Sequence, residues 1–449
     1  MRICLIARSF PGAGRLLGGG EVSLKCLADF LANSGHEVFV ITRQREENTP
    51  SFYNRGITVL YNLSDPKIPP RPSVHTVLNW AANIPQLTKM IECLKPDVVH
   101  SYSIDMLSRV QIALGERPTP SVATINNHFV TCPFIHLNPN DEICTHCNPP
   151  ELLECLKSRN VPALAPFEKL LQLLRYSFAM KYDYLTVLSE AHRRILICNG
   201  FAASKISTIQ NFLDPVDFRS RAELYKTELA HRLKIDKEDN VVSFVGHLRA
   251  QKGVEYLIQA IPEILRVLPE TKFLIIGPGP ERDTLINLAR TTGVSKSVRF
   301  VPYIENEKIP GVYALSTISV FPSIWSEPFG RVIIEAMTVA STVVATRVGG
   351  IPEIIEHNRN GILLPPRNSG ALAKAITTLL EDKEKRISIG KQGQRTVDLR
   401  FTPEIIGPRM IEIYKSIITQ TPKSTFQTIR RKPAIFEDDK TPACRECRL

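Results

Sequence analysis

Short runs of β-branched and aliphatic residues recur along the chain, separated by longer stretches whose apolar residues repeat every three or four positions. Residues 2–7, 37–42, 57–61, 97–102, 122–126 and 184–188 read as strands of one unit. Residues 241–246, 272–277, 298–301, 318–321, 343–346 and 361–364 read as strands of a second. Strands this short alternating with helices imply parallel sheets joined by crossover helices, hence two doubly wound α/β domains. Ligands of such domains bind beyond the carboxyl ends of the strands, here in the cleft between the two units. The expected division is a first domain over 1–205 and a second over 206–400. A helix over 401–419 and a disordered, Pro-, Lys- and Arg-bearing tail over 420–449 complete the chain.

A chain of 449 residues suits two domains of ordinary size. No apolar run approaches the ~20 residues of a membrane span, and the first strand passes straight into a glycine-rich turn without a signal-peptide core. The expected location is therefore cytoplasmic, with the cytoplasmic membrane face as a variant. The net charge of +11 is spread along the chain. It favours anionic nucleotides or lipid headgroups in general; nucleic acid is not an expected partner, because basic residues are not clustered with aromatics.

The candidate chemistry centres on residues 322–337. Pro322 and Pro328 exclude regular structure around a turn, and the apolar spacing after Gly330 marks a helix. Glu327 falls in the turn and Glu335 in the helix. Two carboxylates beside free helix N–H groups can grip paired sugar hydroxyls; the competing reading is a helix with surface acids. Gly18, Gly19 and Gly20 open the first helix, as a loop that approaches phosphate or as a plain βα turn.

Glu327-Pro-Phe-Gly with Glu335-Ala-Met resembles the signature of the retaining glycosyltransferases of family 4, which have the GT-B fold of two Rossmann-like domains facing a cleft. The resemblance continues through Phe244 to Gly253, Leu274 to Glu281 and Arg347 to Ile355. It implies a hexosyl-type transfer from a nucleotide-sugar donor to a glycan, lipid-linked or small-molecule acceptor, with no cofactor required for catalysis. It further implies that Glu335 holds the ribose and that Glu327, Phe329 and Gly330 hold the donor sugar. Lys252 would face the leaving diphosphate, Tyr303 the base, and Gly19 and Gly20 the donor phosphates or the acceptor as the domains close. The helix over 401–419 would return to the first domain. Two positions depart from the family. Asn126-Asn127 stands where a His-Asp pair is common, so that Asn126 or His128 takes the catalytic place, or His128 is only a loop histidine. His247 replaces an arginine, for which Arg249 either compensates or remains a solvated loop residue. The alternatives are a nucleotide-sugar epimerase on the same fold and a non-catalytic sugar- or nucleic-acid-binding protein.

Cys132, Cys144, Cys147 and Cys155 lie within 24 residues, the middle pair spaced Cys-x2-Cys. Four thiolates so spaced can hold a structural zinc in an insertion over 132–155; unligated thiols or a disulfide are the competing readings. The amphipathic stretch 167–181 packs on its own sheet or, in the minority reading, makes a peripheral membrane contact that would suit a lipid-linked acceptor.

Overall fold

The computed structural model describes residues 1–11, 18–43, 52–54, 56–63, 74–132 and 165–420. The Cys144, Cys147 and Cys155 positions, the loop over 64–73 and the tail from 421 lie outside these residues.

The first domain runs β1 (Arg2–Ile6), α1 (Gly19–Asn33), β2 (Glu37–Arg43), β3 (Phe52–Asn54), β4 (Ile57–Leu63), α2 (Val74–Leu94) and β5 (Val98–Ser101). It continues with α3 (Leu107–Leu114), β6 (Ser121–Ile125), α4 (Ala165–Ala179), β7 (Tyr184–Val187), α5 (Glu190–Cys198) and β8 (Ile206–Thr208). The second runs α6 (Pro215–Leu233), β9 (Val241–Val245), α7 (Val254–Val267), β10 (Lys272–Ile276), α8 (Arg282–Thr291), β11 (Val298–Val301), α9 (Ile309–Leu315) and β12 (Ile318–Phe321). It ends with α10 (Arg331–Thr338), β13 (Thr342–Thr346), β14 (Ile362–Leu364), α11 (Ser369–Glu381) and α12 (Lys383–Arg400), before a last helix α13 (Pro403–Gln420).

Among the described residues the first sheet has the order β3-β4-β2-β1-β5-β6-β7-β8, parallel except for the antiparallel edge strand β3. The second, β11-β10-β9-β12-β13-β14, is wholly parallel. Alternation along the strands decides which side chain meets which layer of helices. Cys4 and Ile6 of β1 face the core formed with Leu87, Met90 and Ile91 of α2, while Ile3 and Leu5 face Leu24, Leu27 and Leu31 of α1.

Two strands exceed the expectation. The three-residue β3 and β8 are too short to show a period in sequence, and β8 hydrogen-bonds β7. The first sheet therefore extends to Thr208, past the boundary expected at 205. The helix α13 lies against the first domain: Ile406, Met410, Tyr414 and Ile417 join the α1 face of its core, and Tyr414 Oη is 2.6 Å from Nδ1 of buried His100.

Both sheets reverse their direction of growth beside their first strands, between β1 and β5 and between β9 and β12. At such a switch point neighbouring strands send their following segments to opposite faces, which leaves a crevice at the carboxyl ends. The carboxyl ends of β1, β9 and β12 all open there.

Candidate active site

A cleft of about 620 Å³ between the domains, within the usual size of a ligand site, is lined by the ends of β1, β6, β9, β10 and β12. Gly18, Gly19, Gly20 and Asn126 form the first-domain wall. His247, Lys252, Tyr303, Glu327, Phe329, Gly330 and Glu335 form the other.

The turn after β9 is drawn onto the turn after β12. A Cβ on Gly253, at φ +65°, would come within 2.0 Å of the Pro322 carbonyl oxygen, so only glycine permits this approach. The amide of Ile324 donates to Gln251 O at 2.9 Å and closes the contact. Lys252 is thereby delivered beneath Glu327: its Nζ donates to Oε1 at 2.5 Å and stands over the Trp325 ring at 5.3 Å. Ser323 Oγ donates to the same carboxylate oxygen at 2.7 Å. The Glu327 side chain is 10% exposed and that of Lys252 27%. The glycine pair after β13 braces Glu327 from behind, since the Gly350 amide donates to Glu327 O at 2.7 Å and a Cβ on Gly349, at φ +53°, would strike the same oxygen. The segment that holds them continues as a short turn over Ile351–Glu353. Its glycines serve Glu327.

Glu335 sits one helical turn inside α10, where Arg331 Nε donates to its Oε1 at 2.8 Å. Burial pushes the carboxyl above its ordinary pKa, against the pull of Arg331. At His247 the enclosing walls, and after them the charges of Arg249 and Lys252, hold the pKa below its usual value. This favours the neutral imidazole at the position where the resemblance implies an arginine.

The sequence-predicted residues are not all brought together. Arg249 is exposed on the turn and is not part of the cleft lining. His128 is buried behind the β12 turn, with Nε2 2.6 Å from the Ser326 carbonyl oxygen and its ring edge-on to His192 and Trp325. A carbonyl only accepts, so Nε2 carries the proton and the ring supports the turn from below; it does not face the cleft. Asn126 does face it, its amide donating to Tyr102 O at 3.2 Å. Cys132 is buried at the end of β6's following turn. Among the described residues no group of three or more His, Cys, Asp or Glu side chains could hold a metal ion. Likewise, no helix among them is long and apolar enough to cross a membrane.

Sequence reasoning missed Arg331, Ser323 and Glu353. The i,i+4 spacing of Arg331 and Glu335 could have revealed the first. Nothing local signals Ser323. Glu353 reaches across the domains to cap α5, its oxygens accepting from the Glu190 and Ala191 amides at 2.9 and 2.8 Å.

The chain matches the family model described as "Glycosyl transferases group 1" over residues 226–396 and that described as "Glycosyltransferase Family 4" over 17–217. It is 27% identical over 421 residues to an uncharacterized glycosyltransferase, MJ1607, of Methanocaldococcus jannaschii, covering 92% of this chain and 98% of that protein. Among solved structures it superposes on sucrose-phosphate synthase from Thermosynechococcus elongatus with a TM-score of 0.74 at 20% identity, over 94% of this chain and all (100%) of that one. Anabaena Alr3699/HepE in complex with UDP-glucose gives 0.67 at 21% identity, over 93% and 100%.

Proposed function

The chain belongs to the group 1 glycosyltransferases of GT-B fold, and we propose that it moves a hexosyl unit from a nucleotide-sugar to a glycan, lipid-linked or small-molecule acceptor with retention of anomeric configuration. Family membership makes it a sugar-transferring enzyme and sets aside the epimerase and non-catalytic readings. The observation that carries the proposal is the convergence of Lys252, Glu327 and Glu335 on one wall of a cleft whose facing wall holds Gly19, Gly20 and Asn126.

Glu335 accepts from the paired ribose hydroxyls, and the backbone around Tyr303 meets the base. Glu327 and the Phe329-Gly330 backbone hold the donor sugar, while Asn126 hydrogen-bonds a sugar hydroxyl from the acceptor side. As the bond from C1 to the diphosphate oxygen breaks, negative charge grows on that oxygen, and the Lys252 ammonium opposes it in a partly dehydrated site. The acceptor hydroxyl attacks C1 on the face the diphosphate leaves, and the departing phosphate oxygen takes its proton. Retention follows from attack and departure on one face.

A lipid-linked acceptor is supported by Leu170, Leu173, Leu174 and Met180, exposed at helical spacing on or just after α4 beside Lys181. Failure to sediment with phosphatidylglycerol vesicles would remove that part. For the reaction itself, purified protein is incubated with UDP-glucose first, the donor bound by the HepE neighbour, then GDP- and ADP-sugars, each with and without acceptors. Diphosphate release and an anomeric NMR signal of unchanged configuration in the product are expected. Absence of release with every donor, or an inverted product, refutes the proposal.

A further inference from the structure

The first residue of α10 is a buried cation at the domain junction. Arg331 is 8% exposed, and its guanidinium meets three parts of the molecule at once. Nε donates to Glu335 in the donor-side domain at 2.8 Å. Nη1 donates to Ser23 Oγ of α1 at 3.0 Å and to the carbonyl oxygen of Phe212, in the segment joining the domains, at 3.1 Å. Nη2 lies 3.6 Å from Cys26 Sγ, also on α1. The chain of donors does not stop at Ser23, whose hydroxyl in turn donates a hydrogen bond to Gly19 O at 2.8 Å. The stem of Arg331 runs beneath the same turn, where a Cβ on Gly19 would be 3.7 Å from Arg331 Cδ.

A guanidinium presents its donors in a rigid planar fork, so its partners cannot be repositioned independently. Moving the Gly18–Gly20 turn moves Ser23, and with it the fork that orients the Glu335 carboxylate. Burying a cation is costly unless its donors are satisfied, and here they are satisfied only while the first domain is seated against α10. Building on the proposed function, we propose that Arg331 is a positioning residue that ties the ribose-gripping orientation of Glu335 to the seating of the glycine turn on the opposite wall. The nucleotide is then held fully only in the closed cleft. Arg331 itself touches neither sugar nor phosphate.

The test is a double-substitution cycle read in nucleotide affinity. UDP, GDP and ADP are titrated calorimetrically into the wild type, and the tightest binder is kept as the probe. Ser23→Ala removes the hydroxyl arm to the first domain and leaves the Cys26 contact, and Arg331→Lys keeps the charge while losing the fork. Arg331→Lys is expected to weaken the probe about tenfold and Ser23→Ala about threefold, the latter although Ser23 belongs to the other domain. In the Arg331→Lys background Ser23→Ala should cost nothing further. Melting temperatures of all four proteins are recorded, and Arg331→Gln, which keeps a planar amide donor, serves if Arg331→Lys does not fold. A packing role alone would lower melting temperature without coupling the two affinities. Independent, multiplying losses, or unchanged affinity in Ser23→Ala, overturn the proposal. A wild type that binds no nucleoside diphosphate overturns the donor-site reading beneath it.

Discussion

Replacing Glu327 by Gln is expected to tighten binding of a nucleoside diphosphate while reducing sugar transfer. In the free protein Lys252, the lysine proposed to face the diphosphate, is already engaged, donating to Glu327 at 2.5 Å. A diphosphate must take this charge from the carboxylate or share it. Exposed ion pairs contribute about 0–1 kcal/mol, and hydrogen bonds to charged groups about 1.5–3 kcal/mol. With Glu327 at 10% and Lys252 at 27% side-chain exposure, an intermediate value of about 1–2 kcal/mol is reasonable. Releasing Lys252 should then tighten the diphosphate about 5- to 30-fold. The glutamine amide oxygen still accepts from Ser323, so the turn keeps its shape. Calorimetry with UDP, GDP and ADP reads the gain, and turnover with the matching nucleotide-sugar reads the loss of the sugar contact. In a Lys252→Met background most of the gain should vanish. Equal or weaker affinity in a Glu327→Gln protein of unchanged melting temperature would refute the competition.

Three further outcomes follow from the same geometry. Glu335→Gln should weaken nucleoside diphosphate binding by about 1.5–3 kcal/mol, since it loses charged hydrogen bonds to the ribose; unchanged calorimetric affinity would remove Glu335 from the donor site. Lys252→Ala should lower kcat about a hundredfold with a smaller change in donor KM, because the charge it opposes grows as the bond breaks; steady-state kinetics showing the reverse split would count against that role. His100, buried against Tyr414 and Thr124, has its pKa pushed from 6.5 down to about 3 by burial. Below 6.5 the unfolded chain holds the extra proton, so stability should fall with falling pH by up to about 1.4 kcal/mol per unit from this group. Melting curves between pH 7.5 and 5 should be less steep in pH for His100→Gln, and an equal slope would acquit His100.

Much of this molecule is written locally. The alternation of short aliphatic strands with helical stretches determines the two parallel sheets, because burial on both faces demands continuous apolar runs whatever the surroundings. The turn after β12 is equally local: its prolines, Gly330 and the spacing of Glu327 and Glu335 mark a loop and a helix in any context. By contrast, β3 and β8 depend on neighbouring strands for their hydrogen bonds and have too few residues to carry a period. Side chains that act over distance were decided only by tertiary structure. His128 follows a strand end as a catalytic histidine would, yet the packing of His192 and Trp325 turns its ring away from the cleft. Arg249 and Lys252 lie three residues apart, but the approach of Gly253 to Pro322 presents only the lysine to the cleft. Arg331 carries in sequence no sign of its burial beyond the i,i+4 spacing to Glu335. It becomes a buried junction because Ser23 and Phe212, some 308 and 119 positions away, arrive at its guanidinium when the domains meet. Sequence specifies which groups a segment can offer; the partner that satisfies a buried charge is chosen by the closing of the fold.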